Sequence, residues 1–185
     1  MAPRVVLIGP PGAGKSSVAR ALARRLGLAA TDTDDDVERA AGKPVASIFI
    51  DDGEAAFREL ERAAVSAALA DHDGVLALGG GAVMDPETEA AVKGYRDAGG
   101  TVVFLDVSLA EAAPRVGLNT ARPLLLESPR AKWQALMEVR RPVYARLASV
   151  RVPTDGLRPN QIAARIAGLL VTGPDAPVAD QEEAP

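Results

Sequence analysis

The sequence predicts an α/β protein in which parallel strands form one sheet flanked by helices. Two observations predict this class. Short apolar runs alternate along the 185 residues with longer segments of helical periodicity, which is the order of a doubly wound sheet. The first unit also has a glycine-rich segment, residues 9–16, between the apolar run 5–8 and the helical segment 17–26. Sheets of this kind bind ligands beyond the carboxyl ends of their strands, so functional residues are expected at that edge.

The glycine-rich segment has the pattern of a phosphate-binding loop. Its sequence, Gly-Pro-Pro-Gly-Ala-Gly-Lys-Ser, matches Gly-x-x-x-x-Gly-Lys-Ser and lies between a strand and a helix N-terminus, as this loop requires. The backbone N–H groups would surround a phosphate, Lys15 adds a positive charge, and the Ser16 hydroxyl can bind Mg²⁺. The residues expected to bind the nucleotide are Gly12, Ala13, Gly14, Lys15, Ser16 and Ser17. The alternative is a glycine-rich turn that matches by chance.

Composition excludes several classes of protein. A net charge of −4 and a pI near 5.1 argue against a nucleic-acid-binding protein, which usually carries a basic excess. The absence of cysteine excludes disulfides and thiolate metal sites. No apolar run is long enough to span a membrane, and the chain enters its first strand at once, which leaves no room for a signal peptide. We therefore expect a cytoplasmic protein that binds neither nucleic acid nor membranes.

Acidic residues follow the second predicted strand, 28–31. Asp35 with Glu38 three residues later fits a capping box for the next helix. Asp32 and Asp34 are then left at the carboxyl edge of the sheet without an obvious structural role, which favours a ligand-binding role. The alternative is that Asp34 is itself the helix N-cap.

The next segment, a short helix at 46–49 and a long helix from 52 to about 69, contains a candidate acceptor pocket. Phe49, Phe57 and Arg58 together would give one apolar wall and one cationic group. Each has a simpler explanation. The phenylalanines suit the core, and Arg58 could form a solvated charge ladder with Glu54 and Glu61.

A third buried strand, 74–78, ends in Gly79, Gly80 and Gly81. Consecutive glycines at a strand end offer bare N–H groups and space for a ligand, although a flexible linker is the alternative. A helix is expected at 86–93 and a fourth strand at 101–107.

The remaining segments are a helix at 108–115, a loop containing Arg122, a helix at 131–147 containing Arg140, a fifth strand at 149–152 and a helix at 159–171. An arginine in a mobile loop of a phosphoryl-transfer enzyme can close over the transferred group. The Pro-, Ala- and acid-rich end predicts one domain over 1–171 and a disordered acidic tail over 172–185.

These residues together suggest the kind of acceptor. Asp34, near the γ-phosphate, would repel an anionic phosphate acceptor but would bind hydroxyl groups and could take a proton. Arg58 and Arg140 would suit a carboxylate if they converge, which the sequence does not show. The expected acceptor is a small molecule with hydroxyl groups and one acid group.

The chain resembles the shikimate kinase family over residues 4–171. The resemblance rests on the phosphate loop, Asp32-Thr33-Asp34, Gly53-Glu54 with Phe57-Arg58, the three glycines, Thr120-Ala121-Arg122-Pro123-Leu124-Leu125 and Arg140-Arg141-Pro142-Val143-Tyr144. It implies ATP-dependent phosphorylation of the 3-hydroxyl of shikimate. It also implies a P-loop NTPase fold with a five-stranded parallel sheet of the nucleoside-monophosphate-kinase type, a shikimate-binding subdomain at about 33–61 and a mobile lid at about 112–125. A monomer is expected, although the sequence does not give the oligomeric state.

The resemblance also implies a role for each site residue. Lys15 would contact the β- and γ-phosphates, Ser16 and Asp32 would hold Mg²⁺, and Asp34 would bind the shikimate hydroxyls as candidate base. The remaining implied contacts are Arg58 and Arg140 on the shikimate carboxylate, Phe49, Phe57, Gly79, Gly80 and Gly81 around shikimate, Arg122 on the phosphates, and Arg115 and Pro159 on adenine. Two other functions stay open: a kinase of another hydroxy acid such as gluconate, and a nucleotide-binding switch that phosphorylates nothing.

Overall fold

A computed structural model describes residues 2–115 and 129–172, and it confirms the α/β class. The described residues contain a five-stranded parallel sheet of order β2-β3-β1-β4-β5, flanked by helices. The strands are β1 (Val5–Ile8), β2 (Ala29–Asp32), β3 (Gly74–Ala77), β4 (Thr101–Asp106) and β5 (Val150–Pro153). The helices are α1 (Lys15–Leu26), α2 (Thr33–Ala41), α3 (Val45–Asp51), α4 (Gly53–Asp71), α5 (Pro86–Asp97), α6 (Leu109–Arg115), α7 (Pro129–Leu147) and α8 (Pro159–Thr172).

The central strands are apolar because both of their faces are covered. Every residue of β1 and β3 is buried, as is every residue of β4 after Thr101. Parallel strands enclosed by helices read as continuous runs of Val, Leu and Ile, and this is why the sequence shows them clearly. Each predicted strand is present, and its ends differ from the prediction by at most one residue.

A second, smaller apolar cluster joins α2, α3 and α4. Its buried members are Val37, Ile48 and Phe57, and it is separate from the main core. The cluster lies inside the segment 33–61, whose role as a shikimate-binding subdomain stays a prediction.

The predicted start of α2 is wrong. Asp32 is the N-cap residue: its backbone is extended, and its Oδ1 accepts the Asp34 N–H at 3.0 Å. Asp35 is an exposed residue of the first helical turn, and Glu38 Oε1 instead accepts the Val45 N–H at 2.9 Å. The strand runs directly into the helix, so the first carboxylate of the acidic run is the one in N-cap geometry.

Two predicted segments lie largely or wholly outside the described residues. The structure describes the predicted lid only up to Arg115, at the end of α6, so Arg122 is not included. The predicted acidic tail is described only at Thr172. Among the helices that the structure does describe, none has the length and apolarity needed to cross a bilayer.

Candidate functional site

The phosphate loop connects β1 to α1 at the carboxyl edge of the sheet. Gly12 and Gly14 both have φ of +84°, a left-handed conformation that favours glycine. At Gly9, with φ of +144°, an added Cβ would lie 2.5 Å from the Leu105 carbonyl oxygen of β4. The glycines of the motif are therefore needed for the loop's turns and for its close approach to β4.

An open cleft of about 410 Å³ lies over this loop. Its lining residues are Pro11, Gly12, Gly14, Lys15, Ser16, Ser17, Asp32, Asp34, Leu78, Gly80 and Arg115. A smaller cavity of about 90 Å³, between β4, β5 and α8, is lined by apolar residues with two hydroxyl side chains and no charged group. Only the larger of these two cavities combines a helix N-terminus, a lysine and carboxylates, so it is the candidate nucleotide site.

Lys15 is buried beneath the loop and bonded to it. Its Nζ donates to the carbonyl oxygens of Gly9 and Pro10 at 2.9 and 3.1 Å. Burial lowers the pKa of Lys15 to about 8, although the carboxylates of Asp34 and Asp32 oppose this shift. A negatively charged phosphate in the cleft would stabilise the protonated form.

Asp34 lies in the first turn of α2, at the same cleft. Burial and the neighbouring Asp32 raise the pKa of its carboxyl group to about 6, although Lys15 opposes this shift. A carboxylate that titrates near neutrality is suited to accept a proton from a bound hydroxyl group. Neither Asp34 nor Asp35 is the α2 N-cap, so the structural alternative for Asp34 is not what the structure shows.

The donor set fits Mg²⁺ held mainly through nucleotide phosphates. Ser16 and Asp32 offer oxygen ligands and line the same cleft. Asp32 has one oxygen on the Asp34 N–H, so its capping role leaves the other for a metal or its water. The described residues have no group of three or more acidic, histidine or cysteine side chains that could hold a metal without phosphates.

Arg58 and Arg140 converge at Gly81, although 82 positions separate them in sequence. A Cβ at Gly81 would lie 2.9 Å from Arg58 Nη1 and 3.5 Å from Arg140 Nη2. The predicted ladder is also present, because Arg58 pairs with Glu54 at 3.2 Å and with Glu61 at 2.6 Å. Arg58 therefore has both its helix partners and a position facing a second arginine, which together form a cationic site for an acid group.

Glu61 is a site residue that the sequence reasoning treated only as a surface partner. It is 2 % exposed, and its Oε1 would lie 2.7 Å from a Cβ at Gly79, where Asp34 Oδ1 would lie at 2.6 Å. Gly79 is thus the position where side chains from α2 and α4 meet. Its N–H donates to Thr33 Oγ1 at 2.9 Å, so the glycine segment is bonded, which argues against a flexible linker.

Gly80 is held between the phosphate loop and α7. A Cβ there would lie 2.8 Å from Pro11 Cδ, so the two glycine-rich segments are in close contact. The Gly80 carbonyl oxygen accepts hydrogen bonds from Arg140 Nη1 at 3.2 Å and from the Tyr144 hydroxyl at 2.5 Å. Neither Pro11 nor Tyr144 is among the predicted site residues, although Pro11 lies in the phosphate loop and Tyr144 ends the motif that begins at Arg140.

The ring of Phe57 packs against Phe49 and lies close to the guanidinium group of Arg58. Phe57 is buried in the small cluster, its ring lies 4.4 Å from that of Phe49 between centroids, and Arg58 Cζ lies 5.2 Å from the Phe57 centroid. Phe49 is 38 % exposed. Their predicted contact with an acceptor stays a prediction.

On the predicted adenine side, the structure places Arg115 against the phosphate loop. Arg115 Nη1 donates to the Gly12 carbonyl at 3.2 Å and Nη2 pairs with Glu111 at 3.0 Å. Pro159 is the first residue of α8. Their contacts with adenine stay predictions.

Comparison with known proteins points in one direction. A family model described as shikimate kinase matches residues 11–170. The chain is 55 % identical to a shikimate kinase of Salinispora arenicola over 92 % of this chain and 99 % of that protein. It superposes on a shikimate kinase from Acinetobacter baumannii in complex with shikimate, with a TM-score of 0.82, 31 % identity and coverage of 92 % and 93 %. A gluconokinase from Sinorhizobium meliloti, at 21 % identity and a TM-score of 0.56 over 90 % of each chain, shares the fold alone.

Proposed function

The chain belongs to the shikimate kinase family, and we propose that it transfers the γ-phosphoryl group of ATP to the 3-hydroxyl of shikimate. The observation that carries the proposal is the arrangement around Gly79, Gly80 and Gly81. A carboxylate suited to hydroxyl groups, Asp34, and the paired guanidinium groups at Gly81 lie at one edge of the sheet beside the phosphate loop. A polyhydroxylated acid such as shikimate has hydroxyl groups that Asp34 can bind and a carboxylate that the two arginines can bind.

Each end of the acceptor would meet a different part of the site. Arg58 and Arg140 would hold the carboxylate, because a guanidinium fork matches it bidentately. Asp34 would orient the 3-hydroxyl and accept its proton as the oxygen attacks the γ-phosphorus. The bond from that phosphorus to the bridging oxygen of ADP breaks in the same transfer, and ADP leaves.

On the nucleotide side of the site, positive charge would stabilise the phosphate groups of ATP. Lys15 would exchange its loop carbonyls for the β- and γ-phosphates, and Ser16 and Asp32 would hold Mg²⁺, which when bound neutralises charge on the phosphate oxygens. Arg122, Arg115 and Pro159 are proposed to contact the phosphates and adenine, as the family resemblance implies.

An acceptor panel tests the proposal. Coupled ADP release would be measured with ATP and Mg²⁺ alone, with shikimate and with gluconate. We expect ADP release that depends on shikimate and little turnover of gluconate. Turnover of gluconate without turnover of shikimate would favour the other hydroxy-acid kinase, and slow release that no acceptor changes would favour the nucleotide switch.

Measuring the Arg58→Ala variant in the same assay tests whether Arg58 binds the acceptor. The variant is expected to raise the shikimate KM because it removes ground-state binding, while the KM for ATP stays near the wild-type value. An unchanged shikimate KM would show that Arg58 serves only the ion pairs of α4.

A further inference from the structure

The Gly80 carbonyl oxygen binds two side chains of α7. Tyr144 donates to it from the hydroxyl at 2.5 Å and Arg140 from Nη1 at 3.2 Å. The two residues are four positions apart, so they lie on the same face of the helix. A carbonyl oxygen has two lone pairs, so these two bonds satisfy it fully.

Tyr144 has little freedom to do anything else. It is 1 % exposed, and its ring packs against Phe104 of β4 with centroids 5.2 Å apart. Burial raises the pKa of Tyr144, although the nearby Arg140 opposes this shift, so the hydroxyl keeps its proton and remains a donor. The bond to Gly80 is therefore a fixed link between α7 and the glycine segment.

The guanidinium group of Arg140 faces both the Gly80 carbonyl and the proposed carboxylate site at Gly81. Its Nη1 bonds the Gly80 carbonyl, while Nη2 lies 3.5 Å from the Cβ position of Gly81, which Arg58 also approaches. If the guanidinium group binds a carboxylate through both Nη1 and Nη2, Nη1 has to leave the Gly80 carbonyl. A part-buried carbonyl that is left without a hydrogen-bond donor destabilises the protein, and a second donor that stays bonded avoids this penalty.

We propose that Tyr144 is a positioning residue that keeps the Gly80 carbonyl bonded while Arg140 turns from it to the acceptor's carboxylate. The inference rests on the proposed function, because it assigns that carboxylate to Arg140. The same bond orients the Gly81 N–H, since the C=O and N–H of one trans peptide point in opposite directions.

The test compares the two tyrosines of the chain. Tyr144→Phe removes the hydroxyl at the site, and Tyr95→Phe removes a hydroxyl that donates to the Pro3 carbonyl at 2.9 Å. We expect Tyr144→Phe to raise the shikimate KM about tenfold, the size of one lost hydrogen bond. The turnover number, the KM for ATP and all parameters of Tyr95→Phe should stay within about twofold of wild type.

Two further readouts separate positioning from general loosening of the fold. The shikimate analogue with a hydroxymethyl group in place of the carboxylate should show no KM change in Tyr144→Phe. In an Arg140→Ala background, Tyr144→Phe should add less than about twofold, because coupled residues are not additive. Equal KM increases for both acceptors, full additivity with Arg140→Ala, or an unchanged shikimate KM would each overturn the proposal.

A measurement on the unmutated chain covers the case in which Tyr144→Phe does not fold. Wild-type protein labelled with 3-fluorotyrosine should give two ¹⁹F resonances, which Tyr95→Phe assigns. Shikimate should move the Tyr144 resonance and the hydroxymethyl analogue should not; the same response to both would contradict the proposal. A wild-type protein that does not phosphorylate shikimate would instead contradict the proposed function.

Discussion

Asp34 and Lys15 form a pair whose pKa values are displaced towards each other. Burial raises that of Asp34 to about 6 and lowers that of Lys15 to about 8, while each partner stabilises the other's charged form. Between these two values both groups are charged, which is the state that the proposed transfer needs. We therefore expect activity to be highest between about pH 6 and about pH 8.

The first prediction concerns pH. The kcat/KM for shikimate should rise with pH and level off above about 6, since Asp34 must be ionised to take the proton. The kcat/KM for ATP should fall above about 8, since Lys15 must be protonated to bind phosphates. Initial rates from about pH 5 to pH 9 measure both limbs. A shikimate profile with no inflection between pH 5 and pH 7 would contradict the role of Asp34.

Asp34→Asn should separate activity from stability. Turnover should fall by about two or more orders of magnitude while ATP binding survives. The folded pKa of Asp34 lies above its usual 3.8, so ionisation destabilises the fold increasingly as pH rises towards 6. The variant should therefore raise the free energy of unfolding by about 1–2 kcal/mol at pH 7, and this difference should shrink to less than about 0.5 kcal/mol at pH 4, which serves as the control. Unchanged turnover would show that Asp34 is not the base.

The elements that form the site differ in how readily the sequence predicts them. The strands were placed within one residue because buried parallel strands are continuous apolar runs. The start of α2 was misplaced because Asp32, Asp34 and Asp35 all suit an N-cap, and only the end of β2 decides between them. The local sequence is therefore sufficient to predict the strands, but not to predict the residue at which α2 begins.

The convergence of the arginines depends on the fold as a whole. Arg58 on α4 and Arg140 on α7 meet at Gly81 only because both helices pack around the segment after β3. Glu61 and Tyr144 were missed for the same reason: their spacing within a helix is visible in sequence, but the backbone that they face is not.

The contact between the two glycine segments couples the two halves of the site. Gly80→Ala should raise the KM for ATP as well as that for shikimate, because the new Cβ would lie 2.8 Å from Pro11 Cδ and must displace the phosphate loop. Gly94→Ala, in α5 with nothing within 4 Å of its Cβ position, is the matched control and should gain up to about 1 kcal/mol of stability. Steady-state kinetics and thermal melts measure both variants, and normal KM values in Gly80→Ala would contradict the coupling.

The proposed functional residues that follow the first three strands lie at one edge of the sheet. The phosphate loop follows β1, the acidic run follows β2 and the three glycines follow β3, so strand order β2-β3-β1 sets them side by side. The large apolar side chains exposed in the described residues lie on three different helices (Phe49, Ile50, Val139 and Val171).

Identification of the product would show directly whether the protein phosphorylates the 3-hydroxyl of shikimate. Wild-type protein would be incubated with ATP, Mg²⁺ and shikimate, and the mixture followed by ³¹P NMR with proton coupling. We expect one phosphate ester on the 3-oxygen of shikimate for each ADP formed. ADP with inorganic phosphate and unmodified shikimate, or an ester at another hydroxyl, would contradict it.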